Sequence, residues 1–214
     1  MKKVVIIGGE GTGIAIAATI VDCQKAGQKI ECVGFLNDFE KKICDYKVLG
    51  GVKNQDWKKL PEDYSFVFAF SNIENAPAKY SLIKQLSIPE HRMINIIHPT
   101  AVISHNARLG CGIVIMPFVY VGPNVELHNY VRIMGHSYIA HDCKLGEMTF
   151  VANNASVNGF VTVGKGVHLG SNSSILEKIS IGDYSVIGMG AVVIRDVHPK
   201  SKMAGNPARL IGRL

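Results

Sequence analysis

A six-residue repeat constrains this 214-residue chain more than any other feature. Four positions after each aliphatic residue of the repeat, the residue is usually small or β-branched, and glycine often follows the aliphatic residue directly. Such a period is the signature of a parallel β-helix, and its length predicts roughly five coils of three short strands. The aliphatic residues follow one another without an insertion: Ile103, Leu109, Ile115, Val121, Leu127, Ile133, Ile139, Leu145, Val151, Val157, Val163, Leu169, Ile175, Ile181, Ile187 and Val193.

Two polar residues stand side by side within this repeat. Stacked coils bury the aliphatic and small positions, so His141 and Asp142, two and three residues after Ile139, are predicted to project outward. Imidazole titrates near neutral pH, and a neighbouring carboxylate can fix its tautomer and raise its basicity. Of the eight histidines, only His141 is followed directly by an acid. The pair is therefore a candidate general base, with a surface histidine of no special role as the alternative.

Residues 1–95 have a different pattern, in which strand-like and helix-like segments alternate. The strand-like segments are "KKVVIIGG", "KIECVGFLND", "SFVFAFSN" and "MINIIHP", and the helix-like ones are "GIAIAATIVDCQKAG" and "AKYSLIKQL". The stretch "VLGGVKNQDWKKLPEDY" is rich in turn residues. Alternation of this kind predicts a small Rossmann-like α/β domain with a parallel sheet, which binds ligands at the carboxyl ends of its strands. We therefore expect an α/β domain over residues 1–95 and a β-helix over residues 96–214.

A glycine-rich segment, "GGEGTG" at residues 8–13, joins the first predicted strand to the first predicted helix. Glycines there let a phosphate approach the backbone N–H groups of a helix N-terminus, although a tight connection alone would also use them. The spacing departs from G-x-G-x-x-G, and about 95 residues are too few for two mononucleotide-binding units. A classical NAD site is therefore disfavoured.

Composition excludes several other classes. No run of eighteen apolar residues predicts a membrane span, and the N-terminus lacks the apolar core of a signal peptide, so a cytoplasmic protein without membrane insertion is expected. The net charge of +6 comes from scattered Lys and Arg residues, which does not indicate nucleic-acid binding. Five cysteines without a C-x-x-C pair indicate neither a disulfide framework nor a cysteine zinc site.

Several motifs together resemble the bacterial sugar acetyltransferase family: "VVIIGG", "FLND", "IIHPTAVIS", "HDCKLGE" and "AGNPARLIG". The family includes sialic acid O-acetyltransferases and N-acetyltransferases of nucleotide-linked 4-amino-4,6-dideoxy sugars, such as UDP-bacillosamine precursors and GDP-perosamine. The resemblance covers essentially the whole chain. It implies a left-handed β-helix that forms a homotrimer, with acetyl-coenzyme A in the groove between two β-helices and no metal. N-acetylation of a nucleotide-linked amino sugar for surface glycans or glycoconjugates is the expected activity, with O-acetylation of sialic acid as the alternative.

The resemblance also implies roles for residues of the β-helix. His141 would accept a proton from the attacking amine or hydroxyl, Asp142 would orient the imidazole, and no acyl-enzyme would form. The backbone N–H of Gly159 would hold the thioester carbonyl or its oxyanion, unless Gly159 is a plain turn residue. The remaining implied contacts to the coenzyme are Phe150, Ser171, Met189 and Arg209. Some members of the family have histidine at the position of Phe150. Arg209 would meet the phosphates of the coenzyme, but a solvated arginine without a ligand is an almost equal alternative.

The acceptor is expected on residues 1–95. Asn37 and Asp38 suit hydrogen bonding to a base or ribose, but turn and helix-cap residues of this type occur without any ligand. The family positions for the acceptor correspond to Gly11, Thr12, Gly13, Asn37, Asp38 and Ser71.

Two readings from other classes stay open. The γ-class carbonic anhydrases share the β-helix and use three histidines, and His136 and His141 have the spacing of two of them. The third would fall on Thr100, while His105 is out of register, so zinc chemistry is disfavoured. A non-catalytic nucleotide-sugar-binding scaffold is the other alternative, which the intact His141 and Asp142 pair disfavours.

Overall fold

The computed structural model describes residues 1–70 and 75–214, and its first part is a small α/β unit. Strands β4, β2, β1 and β5 are parallel and adjacent in that order, and β3 pairs antiparallel with β4 at the edge. Residues Val4–Ile7 of β1 are fully buried, as expected of a central parallel strand. The elements are β1 (Lys2–Ile7), α1 (Thr12–Lys25), β2 (Ile30–Leu36), β3 (Lys42–Ile43), β4 (Tyr46–Gly50), β5 (Tyr64–Phe68) and α2 (Ala76–Leu86).

Helix α1 lies on the sheet through residues at helical spacing. Ile16, Ile20 and Cys23 are buried, and Gly13 packs directly beneath Phe35. A Cβ atom on Gly13 would lie 2.8 Å from Cε1 of Phe35, so this glycine allows the helix to approach strand β2. The two predicted helices and the strands before and between them are confirmed, with boundaries shifted by a few residues.

Two segments of this unit differ from the sequence-based prediction. The turn-rich stretch contributes β4, which extends the sheet beside β2, and a short 3-10 helix at Asp56–Lys59. The strand-like "MINIIHP" forms only an isolated bridge between Met93 and Phe66 before it enters the β-helix. Ile94 and Ile96 are buried with residues of the N-terminal sheet and α1, whereas Ile97 packs against the interior of the β-helix, a division that periodicity alone cannot predict.

Residues 96–193 form a parallel β-helix built from two-residue strands. Each strand pairs with the strand eighteen residues later, as Tyr120 with Tyr138, so three repeats make one coil. The strands are β6 (Ile96–Ile97), β7 (Val102–Ile103), β8 (Arg108–Leu109), β9 (Val114–Ile115), β10 (Tyr120–Val121), β11 (Glu126–Leu127), β12 (Arg132–Ile133), β13 (Tyr138–Ile139), β14 (Lys144–Leu145), β15 (Phe150–Val151), β16 (Ser156–Val157), β17 (Thr162–Val163), β18 (His168–Leu169), β19 (Ser174–Ile175), β20 (Ser180–Ile181), β21 (Val186–Ile187) and β22 (Val192–Val193).

The coils have three faces, which we name by their strands. Sheet I contains β6, β9, β12, β15, β18 and β21, sheet II runs from β7 to β22, and sheet III runs from β8 to β20. The chain passes from sheet I to sheet II to sheet III in each coil, so every strand of sheet II has one corner at each end. These I–II and II–III corners carry most of the residues discussed below.

The interior of the β-helix contains the residues that the repeat predicts. The aliphatic residues from Ile115 to Val193 are buried, whereas Ile103 and Leu109 in the first coil are only partly covered. Polar residues at the small positions bond backbone carbonyls: the Ser137 hydroxyl donates to Ala152 O at 2.8 Å and the Thr149 hydroxyl to Gly164 O at 2.9 Å. These two hydroxyls are therefore satisfied, whereas the buried Ser173 hydroxyl has no hydrogen-bond partner among the described residues.

Beyond the repeat, a C-terminal hairpin extends sheet I. Strand β23 (Ser201–Ala204) pairs parallel with β21, and β24 (Arg209–Arg213) pairs antiparallel with β23. The hairpin was not predicted because the six-residue period stops at Val193.

The α/β unit packs against sheet I and the corner beside it. Val114 and Met116 share a buried cluster with Ile16 and Ile20 of α1. On the next corner, the Tyr80 hydroxyl of α2 donates to the Glu147 carboxylate, and Lys84 Nζ lies 3.3 Å from Glu147 Oε1. Apolar contact and an ion pair thus fix the unit to the coils. Neither of the described helices is long and apolar enough to cross a membrane.

Candidate active site

His141 and Asp142 lie on a II–III corner, between strands β13 and β14. Asp142 has a φ of 59°, in the left-handed region that this corner requires. The His141 side chain is 53% exposed, so it projects outward as the repeat predicts. Its Nδ1 lies 2.8 Å from Oδ2 of Asp142, within hydrogen-bond distance.

Two residues of the next coil, Gly159 and Phe160, pack against the imidazole. A Cβ atom on Gly159 would lie 2.8 Å from Cε1 and 2.9 Å from Nε2 of His141, so Nε2 sits directly over this glycine. The Phe160 ring meets the imidazole edge to face, at 5.1 Å between ring centres. Glycine at position 159 is therefore explained by the space that the imidazole needs, whether or not the residue is also part of a turn.

The Asp142 carboxylate is bonded on both oxygens. Asn124 Nδ2 donates to Oδ1 at 3.1 Å while His141 occupies Oδ2. The hydrogen bonds from His141 and Asn124 hold the pKa of Asp142 below its ordinary value. An ionised carboxylate accepts a hydrogen bond from Nδ1–H, which leaves the lone pair of the neutral imidazole on Nε2. A group with that tautomer can accept a proton from an approaching nucleophile.

Three of the residues assigned to the coenzyme by resemblance meet in one groove. A groove of about 440 Å³ on the I–II corner is lined by Phe150, Ser171 and Met189, together with Asn153 and His168. Phe150 stacks on His168 with ring centres 5.1 Å apart and planes 8° from parallel. The groove offers apolar and aromatic surface beside a few polar groups, as small-molecule sites commonly do.

The structure does not bring all predicted residues of the β-helix together. The His141 corner and the Phe150 groove lie at opposite ends of the strands of sheet II within one chain. Arg209 lines a separate cleft of about 270 Å³ beside Arg195 and Asp196. A single chain therefore presents three separated parts of the expected site.

Asn37 and Asp38, which are assigned to the acceptor, follow the carboxyl end of β2, but their side chains are engaged locally. Asn37 Nδ2 donates to Gly8 O at 3.1 Å, and its Oδ1 accepts from the backbone N–H groups of Phe39 and Glu40. Asp38 Oδ1 accepts from the N–H groups of Val52 and Lys53. These contacts favour the turn and cap alternative for both side chains.

The glycine loop itself is partly open. Gly11 is exposed with a φ of 74°, Thr12 is half-buried, and Gly13 is covered by Phe35. Ser71 lies outside the residues that the structure describes. A ligand at this loop would therefore meet mainly the backbone around Gly11 and Thr12.

His168 is a groove residue that the sequence did not point to. It is only 7% exposed, and its Nδ1 has no hydrogen-bond partner within residues 1–70 and 75–214. Burial, reinforced by the Arg132 guanidinium, lowers the pKa of His168 to about 4. Aligning the repeat at eighteen-residue intervals would have placed His168 beside Phe150, because both occupy the outward strand position.

We expect His168 to make the protein less stable in mild acid. Its pKa is lowered in the folded state, so the unfolded chain binds the extra proton and the free energy of unfolding falls as pH drops from about 6.5 towards about 4. A shift to about 4 corresponds to a loss of roughly 3 kcal/mol at full titration. Denaturant titrations at several pH values should show a flatter decline for His168→Phe than for the wild type.

His128→Gln is the control, because His128 is exposed. This variant measures how the loss of a histidine at the surface changes the dependence of stability on pH. Equal declines for the wild type and His168→Phe would contradict the neutral, buried state of His168.

The zinc alternative finds little support in the geometry. His136 stacks on Phe118 on a I–II corner, one strand of sheet II away from the His141 corner. Within the described part of the chain, no group of three or more His, Cys, Asp or Glu residues could hold a metal ion.

Several known proteins are similar to this chain. Residues 160–195 match the family model for the bacterial transferase hexapeptide (six repeats). Over 125 residues the chain is 34% identical to GDP-perosamine N-acetyltransferase of Escherichia coli O157:H7, which covers 56% of this chain and 57% of that protein. The chain thus spans little more than half the length of this curated relative.

Two solved structures share the fold over nearly the full length. The acetyltransferase domain of PglB from Neisseria gonorrhoeae FA1090 superposes with a TM-score of 0.86 at 23% identity, covering 99% of this chain and 100% of that one. PerB from Caulobacter crescentus, solved with CoA and GDP-perosamine, superposes with a TM-score of 0.83 at 24% identity, covering 98% and 97%. These likenesses support a left-handed β-helix. The chain thus carries the bacterial transferase hexapeptide repeat on the fold of these acetyltransferases, which confirms the resemblance seen in its sequence.

Proposed function

We propose that this chain is an acetyl-CoA-dependent N-acetyltransferase that acts on a nucleotide-linked 4-amino-4,6-dideoxy sugar. The single observation that carries the proposal is the His141 imidazole, bonded through Nδ1 to Asp142 and open at Nε2 above Gly159. The names of the E. coli relative and of PerB point to an amino sugar as acceptor and to coenzyme A as the carrier of the acetyl group.

In the proposed reaction, the nitrogen of the sugar amine bonds to the carbonyl carbon of the thioester. As this bond forms, His141 Nε2 accepts a proton from the amine. The carbon–sulfur bond then breaks, the acetyl group stays on the nitrogen, and the coenzyme leaves as a thiolate that takes up a proton. Asp142 stabilises the imidazolium while it carries the proton. The N–H of Gly159 holds the carbonyl oxygen as negative charge develops there. No residue becomes acylated.

For the donor, we propose the groove at Phe150, Ser171 and Met189, with Arg209 near the coenzyme phosphates. The acetyltransferase domain of PglB has also been solved in complex with acetyl coenzyme A, which agrees with a donor of this kind. Because the groove and His141 lie at opposite ends of the sheet II strands, one chain cannot supply both to the same reaction. A second chain that places its groove beside this His141 corner would complete the site.

For the acceptor, we propose that residues 1–95 form a Rossmann-like nucleotide-sugar-binding domain and residues 96–214 the acetyltransferase domain. Gly11, Thr12 and Gly13 would approach the diphosphate through the backbone at the start of α1. Asn37 and Asp38 would act mainly by holding the loops around the ligand, since their oxygens bond backbone N–H groups. Ser71 is assigned to the acceptor by the resemblance alone, since it lies outside the described residues. A cytoplasmic location stays a prediction.

We propose a homotrimer, which the exposed apolar surface around sheet II supports. Phe118, Tyr138, Phe160 and Leu176 are large side chains exposed on this sheet or on the corners at its two ends. Contiguous exposed apolar surface marks an association site, and rotational symmetry would place a I–II corner of one chain beside a II–III corner of the next.

Light scattering should therefore give a species of three 23.2 kDa chains at micromolar concentration. Replacing Phe160 by Glu should shift the distribution towards monomer, because it puts a charge on the apolar corner. A wild-type monomer at that concentration would overturn both the trimer and the shared site.

The proposed activity is tested by a turnover screen with thiol detection of free coenzyme A. UDP-, dTDP- and GDP-linked 4-amino-4,6-dideoxyhexoses should support turnover, with one nucleotide preferred. Preferred turnover with free sialic acid would instead indicate the O-acetyltransferase alternative. Absence of turnover with every acceptor, despite binding of a nucleotide sugar, would support the scaffold alternative.

A further inference from the structure

A chain of polar side chains runs along one column of II–III corners and ends at His141. Ser104 Oγ donates to Asn106 Oδ1 at 2.9 Å, and Asn106 Nδ2 donates to Asn124 Oδ1 at 2.7 Å. Asn124 Nδ2 donates in turn to Asp142 Oδ1 at 3.1 Å. Asn106, Asn124 and Asp142 are spaced by eighteen residues, so consecutive coils place them directly above one another. We call these four residues the corner ladder.

The ladder has a direction. Because Asn106 gives its N–H to the Asn124 oxygen, the Asn124 amide must turn its own NH2 group towards Asp142. A backbone bond reinforces this orientation, since Asn124 N donates to Asn106 Oδ1 at 3.3 Å. Hydrogen bonds aligned head to tail polarise one another, and the three side-chain bonds of the ladder all point their donor hydrogens towards the carboxylate.

The direction of the ladder determines which oxygen of Asp142 faces His141. With Oδ1 held by Asn124, the Asp142 carboxylate presents Oδ2 to His141 Nδ1 at 2.8 Å. A free carboxylate on a half-exposed corner could rotate away, and free imidazole in water favours the tautomer with hydrogen on Nε2. That tautomer has no lone pair on the side that faces Gly159.

We propose that Asn124 is a positioning residue, which fixes the Asp142 carboxylate and thereby keeps the His141 proton on Nδ1. The proposal rests on the proposed function for its effect on turnover, but the tautomer of His141 can be measured without any reaction. Asn106 supports Asn124 and acts one step further from the imidazole.

The chain provides a matched control for this proposal. Asn154 has the same φ of 58° as Asn124 and is also exposed, but it lies on a I–II corner in the column of His136. Replacing either asparagine by alanine strains the left-handed corner to the same extent. An effect specific to Asn124 therefore reflects the ladder and not the corner conformation.

The test combines nitrogen-15 NMR of the histidine ring with steady-state kinetics on the full-length protein. In the wild type, His141 should show hydrogen on Nδ1 and none on Nε2. Asn124→Ala should give a mixture of tautomers and lower kcat about tenfold, a fraction of what a general base contributes, with little change in either KM. Asn154→Ala should leave the tautomer and kcat unchanged.

Asn124→Asp retains the shape and tolerates the left-handed corner, so it serves if the alanine variant folds poorly. It should lower kcat further, because a second carboxylate faces Asp142. An unchanged His141 tautomer in folded Asn124 variants would overturn the positioning role. A shifted tautomer with unchanged kcat would uphold the ladder and contradict His141 as the general base, which separates this inference from the proposed function.

Discussion

His141→Asn should fold and assemble like the wild type but lose most of its turnover. Asparagine fills the half-exposed corner without strain, while no group remains to accept the proton of the amine. General base catalysis typically contributes 10² to 10⁴-fold, so kcat should fall by about that factor. Residual activity should rise with pH, because the fraction of amine that is already deprotonated attacks unaided. Rate measurements across pH check this, with calorimetry to show unchanged affinity for acetyl-CoA.

Asp142→Asn should lower kcat less than His141→Asn does, and comparing the two variants separates the role of the carboxylate from that of the imidazole. The decrease should be smaller because the imidazole remains and loses only the charge that orients it. Near-wild-type kcat for His141→Asn at neutral pH would make His136 the next residue to test.

Gly159→Ala should abolish most of the activity without unfolding the protein. The new Cβ would lie 2.8 Å from Cε1 and 2.9 Å from Nε2 of His141, and the exposed ring can escape only by leaving its place beside Asp142. Gly159 is not among the glycines at positive φ, so alanine adds no backbone strain there. The decrease in kcat should approach that of His141→Asn, about 10²-fold or more, with a small change in melting temperature.

Gly212→Ala is the matched control, because a Cβ there meets no atom closer than 3.9 Å. The double variant His141→Asn, Gly159→Ala separates two explanations. If alanine acts only through the imidazole, the double variant should be as active as His141→Asn alone. A further loss in the double variant would show that alanine disturbs the substrate directly.

The β-helix was predictable from sequence because its period is built into the backbone. Each coil must return to the same point after eighteen residues, so the aliphatic positions repeat every six residues without exception. The hairpin of β23 and β24 could not be predicted in this way, because it lies beyond the repeat. It is held by the pairing of β23 with β21, and its sequence shows no periodic pattern. Strand β4 was missed for the same reason, since its five residues carry no periodic pattern and run into a stretch rich in turn residues, and only pairing with β2 makes them a strand.

The candidate site was predictable only in part. The adjacency of His141 and Asp142 indicated a general base, but the resemblance, and not the residues themselves, pointed to Gly159. The contact of Gly159 with the imidazole crosses one coil, and that of Asn124 with Asp142 crosses another. Such contacts become visible in a sequence when it is written in rows of eighteen residues. The local bonds of Asn37 and Asp38 depend on loops that no period describes.

The most direct test of the central proposal follows the acetyl group itself. Enzyme is mixed first with acetyl-CoA labelled in the acetyl group, and a nucleotide-linked 4-amino sugar is added afterwards. We expect no label on the protein in the first step and, in the second, label on the sugar nitrogen with wild type but hardly any with His141→Asn at neutral pH. Label on the protein before the sugar is added, or equal transfer by both proteins, would contradict direct attack assisted by His141.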